Sequence, residues 1–215
     1  MWITPQLVFM VLVMSVAFVK LMGIPKGQWK PSTVLVILVG LALWVEASGS
    51  YLSYRGENNS MLYNVFLPIE FVLVLGVLLR IRPQWRITWA VSLVVGLLGI
   101  GYCYVKGYGK GFIVVEAALV ISLILSVGIM ATLWSLADRS TRALAKVPEF
   151  WLLVGMLLYF GGMVPLIGLT RSVFELDMAL AKRLWMIAPY LCIMRYAFTA
   201  YAAILAQRSG PNADG

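Results

Sequence analysis

Ser60-Met61-Leu62-Tyr63-Asn64-Val65-Phe66-Leu67-Pro68-Ile69-Glu70-Phe71-Val72-Leu73-Val74-Leu75-Gly76-Val77-Leu78-Leu79-Arg80 is an apolar run that ends on a cation. The hydrocarbon core of a bilayer is ~30 Å thick, and a helix needs ~20 residues to cross it. The run has that length, with one acid, Glu70, in its middle. A charged group at that depth costs roughly 2.5–3.5 kcal/mol on insertion scales, so it is expected to face a protein interior and a partner. The run therefore reads as one helix of a membrane bundle. The rest of the chain must supply the bundle and the partner.

Working outward, seven stretches of this kind lie near 5–23, 32–54, 60–80, 86–105, 111–136, 148–170 and 184–207. Composition agrees: of 215 residues, 62% are hydrophobic and 12% charged, with a mean hydropathy of +0.92. A soluble domain is roughly 45–50% apolar and about 25% charged, so one water-soluble core cannot absorb this excess. The expected fold class is all-α, a polytopic membrane bundle of seven transmembrane helices. It forms one domain over 1–207, with a small polar tail at 208–215 expected to be disordered. The connections are short and rich in turn residues, as in Gly23-Ile24-Pro25-Lys26-Gly27, Arg55-Gly56-Glu57-Asn58-Asn59-Ser60 and Arg82-Pro83-Gln84.

Basic residues set the expected orientation. Loops one, three and five and the C-terminal end hold Lys20, Lys26, Lys30, Arg80, Arg82, Arg86, Arg139, Arg142, Lys146 and Arg208. The opposite side holds Arg55, Lys106, Lys110, Arg171, Lys182 and Arg183. The positive-inside rule then puts the N-terminus outside and the C-terminus in the cytoplasm of a bacterial inner membrane. The first apolar run has no Lys or Arg before Lys20 and no A-x-A site after it, so it reads as a retained helix rather than a signal peptide.

Composition also excludes chemistry. The chain has no His, which removes imidazole bases, Ser–His–Asp triads and imidazole metal sites. Two Cys without a CxxC pair carry no metal signal, and no cofactor is expected. The net charge of +8 is spread singly over helix ends, a pattern that anchors a protein to anionic lipid rather than to nucleic acid. The glycine-rich loop over 106–111 lacks the Walker pattern. Helix seven offers Arg195 where a retinal protein needs an amine, and no loop is long enough for the nucleotide domain of a pump. Trp and Tyr near the span ends, among them Trp2, Trp29, Tyr54, Tyr108 and Trp134, read as an aromatic belt. Small residues such as Ala47, Gly49, Gly96, Gly101, Gly155 and Gly162 read as close-packing points.

Four ionisable residues remain inside the spans: Glu46, Glu70, Glu116 and Arg195. At ~1.5 Å per residue, Glu70 and Arg195 come out near mid-membrane, Glu46 a little outward, and Glu116 about a turn and a half from the outer end. Asn59, Tyr63, Phe66 and Glu70 share one helix face, with Asn64 at its border. Arg195 shares a face with Cys192 and Thr199, beside Tyr196. Pro68 and Pro165 free backbone carbonyls that a cavity could use. The expected polar cluster is Glu46, Tyr63, Asn64, Glu70, Glu116 and Arg195. Glu70 is the first expected partner of Arg195, and Glu46 the second.

Leu43-Trp44-Val45-Glu46, followed by the stretch from Glu57 through Leu62-Tyr63-Asn64 to Ile69-Glu70-Phe71, resembles a group of small seven-helix membrane proteins of Bacteroidetes and relatives. That group has an acid in helix two and an "N…LY..Y/F…IEF" stretch in helix three. The resemblance covers about a sixth of the chain. It implies a seven-helix protein working beside sensor kinases, and Arg195 departs from it. Leu67-Pro68-Ile69-Glu70 also resembles the "P-x-E-E" of bacterial membrane lycopene cyclases, with Phe71 in place of the second acid.

Three readings stay open on these residues. One is a receptor-like or accessory protein that takes a small apolar or anionic ligand in a polar pocket and signals through a separate membrane or cytoplasmic protein partner. Another is an enzyme or carrier for a lipid-soluble, isoprenoid-like substrate, with Glu70 as acid. The last is a structural subunit in which Arg195 and Glu70 only fix helix register.

Overall fold

A computed structural model of the chain describes residues 5–107, 114–141, 143–174 and 176–209. The described residues contain helices and no strand: α1 Pro5–Met22, α2 Ser32–Tyr54, α3 Ser60–Ile81, α4 Arg86–Gly107, α5 Val115–Arg139, α6 Pro148–Phe174, α7 Met178–Trp185 and α8 Ala188–Arg208. Seven helical segments are long and apolar enough to cross a bilayer, and the chain is a multi-pass membrane protein by that measure. In a bilayer every backbone N–H and C=O must be satisfied within the protein, and helices do this segment by segment. Residues such as Val16, Val94, Val127 and Trp134 are exposed on the outer faces, where an aqueous protein would bury them.

The spans form a ring in chain order. α1 packs on α2, α2 on α3, α3 on α4, α4 on α5, α5 on α6 and α6 on α8, and α8 returns to α1. α3 also touches α5 across the ring. The basic residues gather at the end where α1, α3, α5 and α8 finish, called here the basic end; the opposite is the far end.

The seventh span differs from the sequence expectation. The apolar run predicts a span at 184–207, but α8 starts at Ala188 and Trp185 belongs to the short α7. Pro189, in the first turn of α8, has no N–H to continue a helix from α7. α7 has its own start signal: Asp177 accepts Ala179 N–H at 2.8 Å and Leu180 N–H at 3.1 Å. α5 begins at Val115 rather than 111, and α6 extends to Phe174. Trp2, most of the 106–111 loop, Tyr108, Lys110, Arg142 and the tail beyond Ser209 lie outside the described residues, while Arg208 is the last residue of α8.

Glycines decide how closely the ring packs. A Cβ on Gly155 of α6 would stand 2.6 Å from Phe198 Cβ and 3.1 Å from the Arg195 carbonyl, and one on Gly162 would meet Leu191 at 3.0 Å. These two glycines let α8 lie against α6. Gly96 of α4 makes room for the Phe71 ring in the same way. Gly101 and Ala47, expected among the packing points, play no such part: Gly101 has nothing within 4 Å of its virtual Cβ, and Ala47 is exposed.

The first and last parts of the chain close the ring at the basic end. The last carbonyls of a helix have no partner within it. The Gln28 side-chain amide donates to the carbonyls of Ala206 at 2.8 Å and Ser209 at 2.7 Å. Gln207 donates back to the Lys20 carbonyl at 2.7 Å. Each amide caps the helix that the other belongs to or adjoins.

Candidate functional site

Among the described residues, the interior of the ring holds one buried ion pair. The Arg195 guanidinium of α8 donates through Nη1 to Glu70 Oε1 of α3, as the matched depths of the two residues suggested. Arg195 is 1% exposed and Glu70 6%, so both groups are withdrawn from lipid and water alike. Three rings surround the guanidinium: Tyr159 at 4.7 Å, Phe160 at 5.0 Å and Tyr196 at 5.3 Å from its central carbon. Such rings stabilise a cation through their electron-rich faces without supplying an acceptor in the guanidinium plane. Nη2 is buried and has no hydrogen-bond partner among the described residues.

The position of Arg195 follows from α8. Pro189 shortens the span, so Arg195 stands seven residues past Ala188, about 10 Å along the axis from the far end. Gly155 allows α6 to approach the backbone at Arg195, which brings Tyr159 and Phe160 of the next turn alongside the guanidinium. Thr199 turns its hydroxyl back on the Arg195 carbonyl at 2.9 Å.

A second carboxyl lies beside the pair. Glu46 of α2 accepts the Tyr63 hydroxyl of α3 through Oε2 at 3.1 Å. Tyr63 can lie across α2 because Gly49 has no side chain; a Cβ there would stand 2.8 Å from the hydroxyl. One turn away, Asn59 Nδ2 donates to the Gly49 carbonyl at 3.1 Å. Glu46 is within electrostatic reach of Glu70, and Cys192 is within reach of both acids and of Arg195. Glu70 alone pairs with Arg195, and Glu46, the second expected partner, is bonded to Tyr63 instead. Glu46 and Tyr63 are half-buried, so the cluster is less enclosed on their side.

The other two residues expected in the cluster stand elsewhere. Asn64 is buried, and its Oδ1 accepts the Val114 N–H at 2.9 Å. Pro68 cannot donate to the Asn64 carbonyl one turn back, and the Tyr104 hydroxyl of α4 donates to it instead. The carbonyl freed by Pro68 is thus used to tie α4 to α3. Glu116 is exposed in the first turn of α5, because Val114 is not helical and the helix starts later than expected. A carboxylate there complements the positive end of the helix dipole.

Tyr159 is the residue that sequence reasoning passed over. Its one signal was a tyrosine in mid-span rather than at a membrane boundary. An open groove of about 640 Å³ between α3 and α4 is lined by Asn64, Val65, Pro68, Ile69, Tyr104 and Val105. It contains no charged group. Among the described residues no cluster of three His, Cys, Asp or Glu could hold a metal ion. No protein-family model, no curated protein and no solved structure matches the chain.

Proposed function

We propose that the protein is a receptor-like or accessory component of a bacterial inner membrane, and that the cluster around Arg195 is its ligand pocket. The observation that carries this reading is Arg195 Nη2, buried and without a partner among the described residues, beside an Nη1 already paired with Glu70. A guanidinium carries five N–H donors, and the contact with Glu70 is made through Nη1. A guanidinium with one edge paired offers its other edge to an oxygen of a small ligand, in the planar geometry that suits a carboxylate or phosphate. The aromatic rings give that ligand an apolar wall, and the half-buried Glu46–Tyr63 side gives it a way in.

The excess of cations supports a cytoplasmic basic end, with the N-terminus outside. The connection between α5 and α6 is short, so a signal would leave through the basic-end loops to a separate protein. Kinship with the Bacteroidetes seven-helix group, through Glu46 and the 62–71 stretch, is part of the same proposal.

Native mass spectrometry of the detergent-purified protein tests it. Wild type should carry a small-molecule adduct, and the Arg195→Met, Glu70→Leu double variant should lose it while staying folded. A wild type without any adduct, or a double variant that keeps the same one, overturns the pocket and leaves the pair as a staple.

A further inference from the structure

A second arginine with spare donors lies away from this pocket, at the basic end. Ten of the chain's 17 basic residues belong to that end, against Asp138 and Glu149 among the described acids. Arg82 occupies the corner between α3 and a 3-10 turn, Pro83–Trp85, that leads into α4. Its backbone is fully engaged. The N–H donates to the Leu78 carbonyl at 2.8 Å, and its own carbonyl accepts Trp85 N–H and Trp89 Nε1, each at 3.2 Å.

Its side chain is not. Nε and Nη2 are both buried and lack a hydrogen-bond partner among the described residues. The charged groups that act on it electrostatically are Arg139, at the end of α5, and Glu149, in the first turn of α6. Burial first and Arg139 second push the Arg82 pKa below the usual guanidine value, and Glu149 acts against them. Glu149 is already engaged, since its Oε1 accepts Trp29 Nε1 at 2.8 Å. A guanidinium with buried, unused donors and a second guanidinium acting on it is an arrangement that an anion would complete.

We propose that Arg82 and Arg139 hold the phosphate group of an anionic phospholipid. Free phosphate shares this chemistry, but three features favour the lipid. The site lies at the ends of membrane-spanning helices, where headgroups are. The surrounding charge is positive, which attracts anionic lipid to that leaflet. Exposed Leu79 and Ile87 beside it give acyl chains an apolar face.

The test is the thermal unfolding midpoint of the purified protein in mild detergent, titrated with phosphatidylglycerol, phosphatidylcholine or inorganic phosphate. Phosphatidylglycerol should raise the midpoint by several degrees, and the other two should not. Arg82→Gln and Arg139→Gln should each remove most of that rise, and Lys26→Gln, at the same end in the α1–α2 loop, should keep it. Arg139 is exposed, so its variant reads the site independently of the buried Arg82 nitrogens. An undiminished rise in both arginine variants, an equal loss in Lys26→Gln, or the same rise with inorganic phosphate alone overturns the proposal.

Discussion

Arg195 and Arg82 both bury guanidinium nitrogens, and both leave some of them without a partner among the described residues, but their surroundings are opposite. Arg195 has an acid in contact, a second acid nearby and three aromatic rings around it. Arg82 faces a second arginine and an acid already bonded to Trp29. The first is integrated into the fold, so its removal leaves a charge behind. The second has a neighbour of like charge, so its removal relieves the fold as much as it harms it. A buried arginine is therefore not one kind of feature. What faces it decides whether its removal strands an opposite charge or relieves a like one.

The largest effect should come from breaking the Arg195 side. Arg195→Met alone strands Glu70 in the interior and should cost about 3–5 kcal/mol, seen as a lower unfolding midpoint and a lower folded yield in detergent. Adding Glu70→Leu should restore most of the loss. A single variant as stable as wild type would mean that Arg195 is no better integrated than Arg82.

The next effect concerns the helix contact that builds the Arg195 surroundings. Gly155→Ala overpacks α6 against α8 and should cost about 1–3 kcal/mol, whereas Gly101→Ala, in open space, should stay within about 0.5 kcal/mol of wild type. Denaturation of the two variants side by side checks this. Equal losses would show that α6–α8 packing does not depend on the glycine.

Tyr104→Phe removes the hydroxyl that satisfies the carbonyl freed by Pro68, and should cost about 1 kcal/mol. Pro68→Ala should rescue that variant, because the new N–H can serve the Asn64 carbonyl. A double-mutant cycle without coupling would disconnect the two residues. The smallest effect belongs to Arg82. In detergent free of anionic lipid, Arg82→Gln should shift stability by no more than about 0.5 kcal/mol in either direction. A loss as large as that of Arg195→Met would erase the contrast between the two arginines.

The spans were legible because ~20-residue apolar runs leave few alternatives once a bilayer is the solvent. The Arg195–Glu70 contact was legible for the same reason, since a deep charge needs a partner at its own depth. Rotation about the helix axes was less so. Asn64 lies one residue past the face that carries Tyr63, and that rotation turns it to the start of α5 instead of to Glu46. Tyr159 and Phe160 could not be assigned to Arg195 without knowing that α6 faces α8, which depends on Gly155 and Gly162. Glu116 was misjudged in depth because an apolar run does not mark where its first helical turn begins. Arg82 looked like any charge at a helix end. Nothing in its spacing marks its Nε and Nη2 as buried.

The exchange of amides between Gln28 and Gln207 also puts the assembly of the ring in time. Gln28 finds its acceptor at Ala206 only after another 178 residues have been made, which at roughly 5–20 residues per second takes about 9–36 s. Until then α1 and α2 wait in the membrane as a hairpin whose α8-facing flank has nothing to pack against. The α1–α8 seam is the last to form and the first that a chain shortened before Ala206 would lack. Quality control that samples nascent membrane proteins would meet this one with its ring open for most of its synthesis.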